Sequence, residues 1–203
     1  GGGGASSLNG LSDVKYEGTN FDHSLLIGST STGTLNNAKY NTGVGKTVFS
    51  ALTTADYCNA LGYGALASLT SGNTNSALGY RALGSNTNGY DNNAFGFDSL
   101  YTNTSGNFNN AHGNNSLKYN NNGQFNAAFG GSALQNTNAS GNTAIGHNAG
   151  NGNTSGTYNT FLGFNTDNNA NNYTKSTAIG WNATATASNQ IRLGTATETV
   201  SIP

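Results

Sequence analysis

The chain has no methionine, one cysteine, one proline, and only seven cationic and eight acidic side chains among 203 residues. Each scarcity excludes something. With Cys58 alone, an intramolecular disulfide cannot form, and cysteine usage says little about redox compartment. No stretch approaches the ~20 consecutive apolar residues that cross a bilayer as a helix. No charged-then-apolar start resembles a secretory signal, so membrane insertion is not expected. The cations Lys15, Lys39, Lys46, Arg81, Lys118, Lys175 and Arg192 are scattered, which argues against electrostatic binding of nucleic acid. The missing methionine, with the Gly1 to Gly4 run, leads us to expect a processed product or a segment of something longer.

What is present is Asn, Gly, Thr and Ser, which together make up more than half of the chain. Such a composition ordinarily reads as disorder, because too little apolar surface is available to offset chain entropy. Disordered chains, however, usually carry net charge or proline, and this one has a net charge of -1. Low complexity with little charge points instead to a repeat.

A pentapeptide of the form Asn, small polar, Ala, large apolar, Gly recurs along the chain. Its glycine falls at Gly28, Gly45, Gly62, Gly79, Gly96, Gly113, Gly130, Gly146, Gly163, Gly180 and Gly194, a spacing of 17 residues with one interval of 16 and a last one of 14. The fuller consensus runs Asn, x, Ala, apolar, Gly, x, x, Ala or Ser, Leu, x, x, Asn, Thr, x, Gly, x, x, and we number its positions one to seventeen from the first Asn. Helical repeats are disfavoured, since such a unit has low helix propensity and no i, i+3, i+4 apolar stripe. Short strands separated by Gly and Asn corners fit better. The expected fold is all-β: a parallel β-solenoid, or β-roll, of about eleven 17-residue coils spanning residues 24–194. Residues 1–23 read as a linker and lead-in, and residues 195–203 follow the last repeat.

Stacking at about 4.8 Å turns each position into a ladder and makes a rod of roughly 50 Å. Position four carries Ile27, Val44, Leu61, Leu78, Phe95, His112, Phe129, Ile145, Leu162 and Ile179, and position nine carries Phe49, Leu66, Leu83, Leu100, Leu117 and Leu134. These are the large apolar rows, so both are expected to line a thin interior. Position one carries Asn41, Cys58, Asn75, Asn92, Asn109, Asn126, Asn142, Asn159 and Ser176, an inward row whose amides can bond along the stack. About two large apolar side chains per coil is a thin core, worth roughly 3–6 kcal/mol against about 1–2 kcal/mol of backbone ordering for every residue. The Ala row at position three (Ala60, Ala77, Ala94, Ala111, Ala128, Ala144 and Ala178) is then expected to point outward. There it would either offer a flat face for close chain-to-chain packing in an oligomer or stand as a tolerated solvated row.

The strings NTAIGHNAG, NSALGYRAL and STAIGWNATATASNQIRLG resemble the repeats of trimeric adhesin head domains, and ALGYGALASLTSGNTNSALGYRALGSNTNG is similar to repeats in the fibres of tailed phages and other viruses. The resemblance extends from about Ser24 to Gly194, although the 17-residue unit is longer than that of the adhesin heads. The end, ASNQIRLGTATETVSIP, resembles the exit from such an array, which implies that residues 195–203 lead into a following fibre domain. It implies a homotrimeric, extracellular fibre segment, on a virion tail or a cell surface, that supports or performs host attachment. Its partners would be itself, adjoining fibre segments and a cell-surface glycan or protein receptor.

Enzymatic chemistry is not expected. Asp91 and Asp98 fall in one repeat unit, but at different positions and without a His or cationic partner nearby in sequence, so a paired-carboxylate glycosidase is disfavoured. No Cys or His spacing suits zinc, no acidic Gly-rich nonapeptide suits calcium, and no glycine run is followed by the Lys and Ser or Thr of a nucleotide site. Neither catalytic residues, metal ligands nor a cofactor is assigned. Cys58 sits in the Asn row and reads as a small buried residue, not a nucleophile.

Position six carries Tyr63, Tyr80, Phe97, His147, Phe164 and Trp181. This aromatic row is the candidate ligand surface, because rings stack on the apolar faces of sugars; equally, it could cover a corner or a chain interface. A second function class is ice binding through the Thr70, Thr87, Thr104 and Thr154 row at position thirteen, although Asn121 and Asn171 interrupt it and it has a single Thr per coil.

Overall fold

The computed structural model describes residues 14–16, 20–29 and 31–197. Among them there is no helix, and the dominant element is one sheet of twelve short strands. These are β1 (Val14–Tyr16), β2 (Leu25–Ile27), β3 (Thr42–Val44), β4 (Asn59–Leu61), β5 (Ser76–Leu78), β6 (Asn93–Phe95), β7 (Asn110–His112), β8 (Ala127–Phe129), β9 (Thr143–Ile145) and β10 (Thr160–Leu162). The series continues with β12 (Thr177–Ile179) and β14 (Ile191–Leu193), while β11 (Asp167–Asn168) and β13 (Thr184–Ala185) pair beside it. From β2 to β14 the main sheet is parallel, so it has eleven parallel rungs and ten turns of solenoid between first and last. Register is that of the repeat: Leu61 pairs with Leu78, Leu78 with Phe95, Phe95 with His112 and His112 with Phe129.

The first rung is covered by β1, which pairs antiparallel with β2 and places Lys15 opposite Leu26. A strand edge is a template for unwanted pairing, and a short antiparallel strand blunts it. Thus part of the segment that reads as linker belongs to the stack. Residues 1–13 and 17–19 of that segment and the end of the exit segment at 198–203 lie outside the described residues.

Every rung from β2 to β12 has its middle residue buried and its two flanks turned outward, while in the last, β14, the middle residue Arg192 is only half-buried; the burial reverses one expectation. The Ala row faces the interior: Ala94, Ala111, Ala128, Ala144 and Ala178 are fully buried. Position four faces out, with Leu61, Leu78, Phe95, Phe129, Ile145 and Leu162 exposed and Ile27, Val44, His112 and Ile179 half-buried. The reason is volume. Position nine does line the interior, where Phe49, Leu66, Leu83, Leu100, Leu117 and Leu134 are all 0% exposed, and across from it a 17-residue coil has room for little more than a methyl group.

Departures from the consensus show the same limit. In the coil where Val48 and Phe49 fill the interior, position three is Gly43, and a Cβ there would sit 2.7 Å from Leu26 of the preceding rung, 2.8 Å from Val48 and 2.9 Å from Phe49. Where position three is the buried Phe161, the coil before it has Gly150 at position nine, and a Cβ there would lie 2.5 Å from the Phe161 ring. Core volume is conserved by exchange between neighbouring rungs, as close packing demands.

The buried Asn row is hydrogen-bonded along the stack. The Asn92 backbone N–H donates to Asn75 Oδ1 (3.1 Å) and the Asn92 side-chain amide to the Gly106 carbonyl (2.8 Å); Asn109 and Asn126 repeat the pattern. A second buried row at position twelve runs Asn86, Asn103, Asn120, with Asn103 Nδ2 donating to Asn86 Oδ1 (3.0 Å) and each amide bonding to the glycine carbonyl three residues on. Thr137 interrupts this row, and Asn120 Oδ1 is left unpaired.

Two corner positions carry the turns on either side of the aromatic position. Gly96 at position five has φ +142°, and a Cβ there would approach the Gly113 carbonyl oxygen to 2.5 Å, so only glycine fits. At position nine, by contrast, the left-handed corner is made by the buried apolar side chain itself, with φ between +49° and +54° from Phe49 to Leu134. A leucine there costs about 1–2 kcal/mol of backbone strain, offset by burial.

Candidate functional surface

Alternation within each rung places positions two and four on one outer face. From Leu25 to Ile179, none of the twenty side chains in these two rows is charged. The apolar row is continuous: Phe95, His112 and Phe129 stack with ring centroids 4.7 and 4.8 Å apart, and a shallow groove of about 260 Å³ runs beside Val44, Leu61, Leu78 and Phe95.

Position six lies on a different face, sharing a groove with positions seven, ten and eleven. The structure brings the sequence-derived aromatic residues together in two groups. Tyr63, Tyr80 and Phe97 form a stack with centroid spacings of 5.3 and 5.0 Å, and His147 stacks on Phe164 at 5.7 Å. Asn114 and Gly131 separate the groups. Trp181 is 62% exposed beyond the second.

A third row, at position seventeen, escaped the sequence reading. His23, Tyr40 and Tyr57 stack at 5.1 and 4.9 Å, and Phe108 stacks on Phe125 at 5.2 Å. The 17-residue spacing of Tyr40 to Tyr57 and of Phe108 to Phe125 was the available signal. It was obscured by Thr74, Asp91 and Gly141 at the same position.

The two acids of the central repeat unit have separate fates. Asp98 at position seven is 1% exposed and is held by Arg81 through two hydrogen bonds (2.9 and 2.7 Å) and by Lys118 at 3.0 Å. Burial alone would push its carboxyl up, but hydrogen bonds from Arg81 and Lys118 outweigh burial and hold it below the ordinary range. Asp91 stands on the position-seventeen side and accepts a hydrogen bond from the Thr74 hydroxyl. In Asp167 the balance is opposite: burial raises its carboxyl above the usual range despite N–H donors from Asn168 and Gly152.

Cys58 is fully buried in the Asn row, its thiol donating toward the Asp56 and Gly72 carbonyls at 3.4 Å. Burial pushes the thiol up to about 11, far from nucleophilic activation. In the Thr row, the hydroxyls of Thr70 and Thr87 donate to the carbonyls of Thr87 and Thr104 in the next coil, at 2.8 and 3.0 Å. They serve the stack, and the regular free-hydroxyl lattice that an ice-binding face would call for receives no support from them.

No protein-family model, no curated protein and no solved structure matches the chain.

Proposed function

We propose that the chain is a structural and attachment segment of a homotrimeric extracellular fibre, on a virion tail or a cell surface, and that copies associate side by side through the outer sheet face. The carrying observation is the uncharged apolar row at position four. Ten rungs at about 4.8 Å make it roughly 50 Å long. With a width of about 10 Å the face approaches ~500 Å², at the upper end of the apolar patches that monomeric proteins expose. A second copy of the same rod, with the same 17-residue rung pattern, is the partner whose shape and lack of charge fit this face along its full length. This placement replaces the Ala row, which is interior, as the contact between chains. The aromatic position-six row lies on another face and so stays accessible in such an assembly, as a receptor-facing surface requires.

Sedimentation of the intact chain tests the assembly. The expected mass is about three times 20.7 kDa, with Leu78→Lys dissociating the assembly while circular dichroism stays unchanged. A folded natural chain that is monomeric at micromolar concentration overturns the reading, and a Leu78→Lys chain that still sediments as a trimer overturns the choice of face. A glycan array on the natural chain tests the attachment role.

A further inference from the structure

Beside the first aromatic stack, and in the same coils, the surface is indented. Positions seven and ten, which carry Asp98 with Tyr101 and Asn115 with Lys118 in later coils, shrink to Gly64 with Ala67 in one coil, and position ten is Gly84 in the next. The result is a groove of about 250 Å³ whose walls are Tyr63 on one side and Arg81 with Tyr101 on the other. The Arg81 guanidinium lies over the Tyr101 ring at 4.3 Å and beside the Tyr80 ring at 5.1 Å, which fixes the cation at the rim.

The charge of this region departs from that of the chain. From Lys46 to Gln135, positions six to eleven carry Lys46, Arg81 and Lys118 against Asp98 alone, a net +2 on a chain of net -1. Asp98 is buried and is held by Arg81 and Lys118, two cations on one carboxylate, so with Lys46 the net charge of this face stays cationic. A wall of exposed tyrosine, a floor without side-chain bulk and a fixed guanidinium are the elements that take a sugar ring carrying an anionic group. The ring stacks on the aromatic face, and the carboxylate or sulfate meets the cation in a charge-assisted contact.

We propose that the groove between Tyr63 and Arg81 binds an acidic saccharide unit, one ring bearing a carboxylate or sulfate, of the surface polysaccharide or glycan to which the fibre attaches. The proposal rests on the attachment reading above and names its ligand class. The site belongs to one chain, and its position-six face is distinct from the sheet face assigned to association.

The test is calorimetric titration of the intact chain with three disaccharides: one containing a uronic acid, one sulfated and one neutral. Sedimentation is run on the same samples. We expect at least one acidic disaccharide to bind about tenfold or more tightly than the neutral one, with affinity falling as salt rises; which of the two binds identifies the acid. Ala67→Gln fills the groove with the residue that the chain itself uses at the equivalent Gln135, and Tyr63→Ala removes the stacking wall. Both should weaken binding about tenfold or more while leaving sedimentation and thermal unfolding unchanged. Equal affinity for acidic and neutral disaccharides, or undiminished binding by a folded Ala67→Gln chain, overturns the acidic site and, where the trimer is intact, leaves the fibre reading standing. A monomeric chain that binds none of the three overturns both.

Discussion

The imidazole of His112 stacks on the ring of Phe95 with centroids 4.7 Å apart and an interplanar angle of 23°, on the outside of the sheet. The pair shows that the large side chains at position four make a ladder among themselves without entering the core. Their energetic worth therefore differs from that of the leucines at position nine.

Leu100→Ala, in the middle of the rod, removes a fully buried side chain from between two neighbouring leucines of the same ladder. Lost transfer and the remaining cavity should cost about 2–5 kcal/mol per chain. Leu78, 42% exposed, should lose only about 0.5 kcal/mol of chain stability on replacement by Ala, with the larger effect falling on association. Urea denaturation of the two variants, each paired with sedimentation, separates the effects; equal losses of chain stability would place both rows in the core.

Gly150 and Phe161 share one pocket of the interior, so their substitutions should be coupled. Phe161→Ala opens a cavity at a cost of about 3–5 kcal/mol, and Gly150→Leu overfills the same space at about 1–3 kcal/mol. The double variant restores the consensus pairing of Ala at position three with Leu at position nine, whose left-handed φ leucine adopts in five other coils. Its loss of stability should be smaller than the sum of the two single losses by about 0.5–3 kcal/mol, as read from a double-mutant cycle in chemical denaturation. Strict additivity would show that the two positions do not share volume.

Asp98 and Asp167 should respond to pH with opposite sign. Arg81 and Lys118 hold the Asp98 carboxyl below its unfolded value, so its contribution is fully present above the ordinary carboxylate pKa, near 4, and is lost as pH falls through the folded value. Asp167 is raised by burial, so its folded form favours the proton and its contribution fades as pH rises from that ordinary value through the folded one. Asp98→Asn should cost about 1.5–3 kcal/mol at pH 7 and much less at pH 3. The effect of Asp167→Asn should shift toward stabilisation on going from pH 3 to pH 7. Denaturation midpoints of the three chains at the two pH values check both signs; parallel shifts in all three would show that neither carboxyl is linked to folding in this way.

The period, the parallel stacking, the rung register and the inward Asn and Leu rows are written in the sequence. A ladder needs identical spacing, and identical spacing is visible without coordinates: the 17 residues from Phe95 to His112 are also the step from one rung to the next. An Asn recurring at position one in a chain with so few charges has few structural uses except hydrogen bonding along a stack. The candidate aromatic row was legible as a row, but its division into two stacks depends on which neighbours, Asn114 and Gly131, lack rings. The groove beside Tyr63 was not legible, because it arises from small residues at positions seven and ten of neighbouring coils, which only the coil's path brings together.

Which side of each three-residue strand faces inward was decided by tertiary structure alone. Ranking by hydrophobicity puts Leu78 and Phe95 inside and Ala77 and Ala94 outside. A three-residue strand has too little alternation to contradict that ranking, and a shift of one residue exchanges the two faces completely. The deciding quantity is the cross-section of a 17-residue coil: with position nine already filled by leucine and position one by asparagine, only a methyl fits at position three. The larger side chains are left on the outer face, available to another copy of the rod. The corner at position nine follows from the same constraint, since the chain turns there in the left-handed region with a leucine, where the residue type by itself would have indicated a strand.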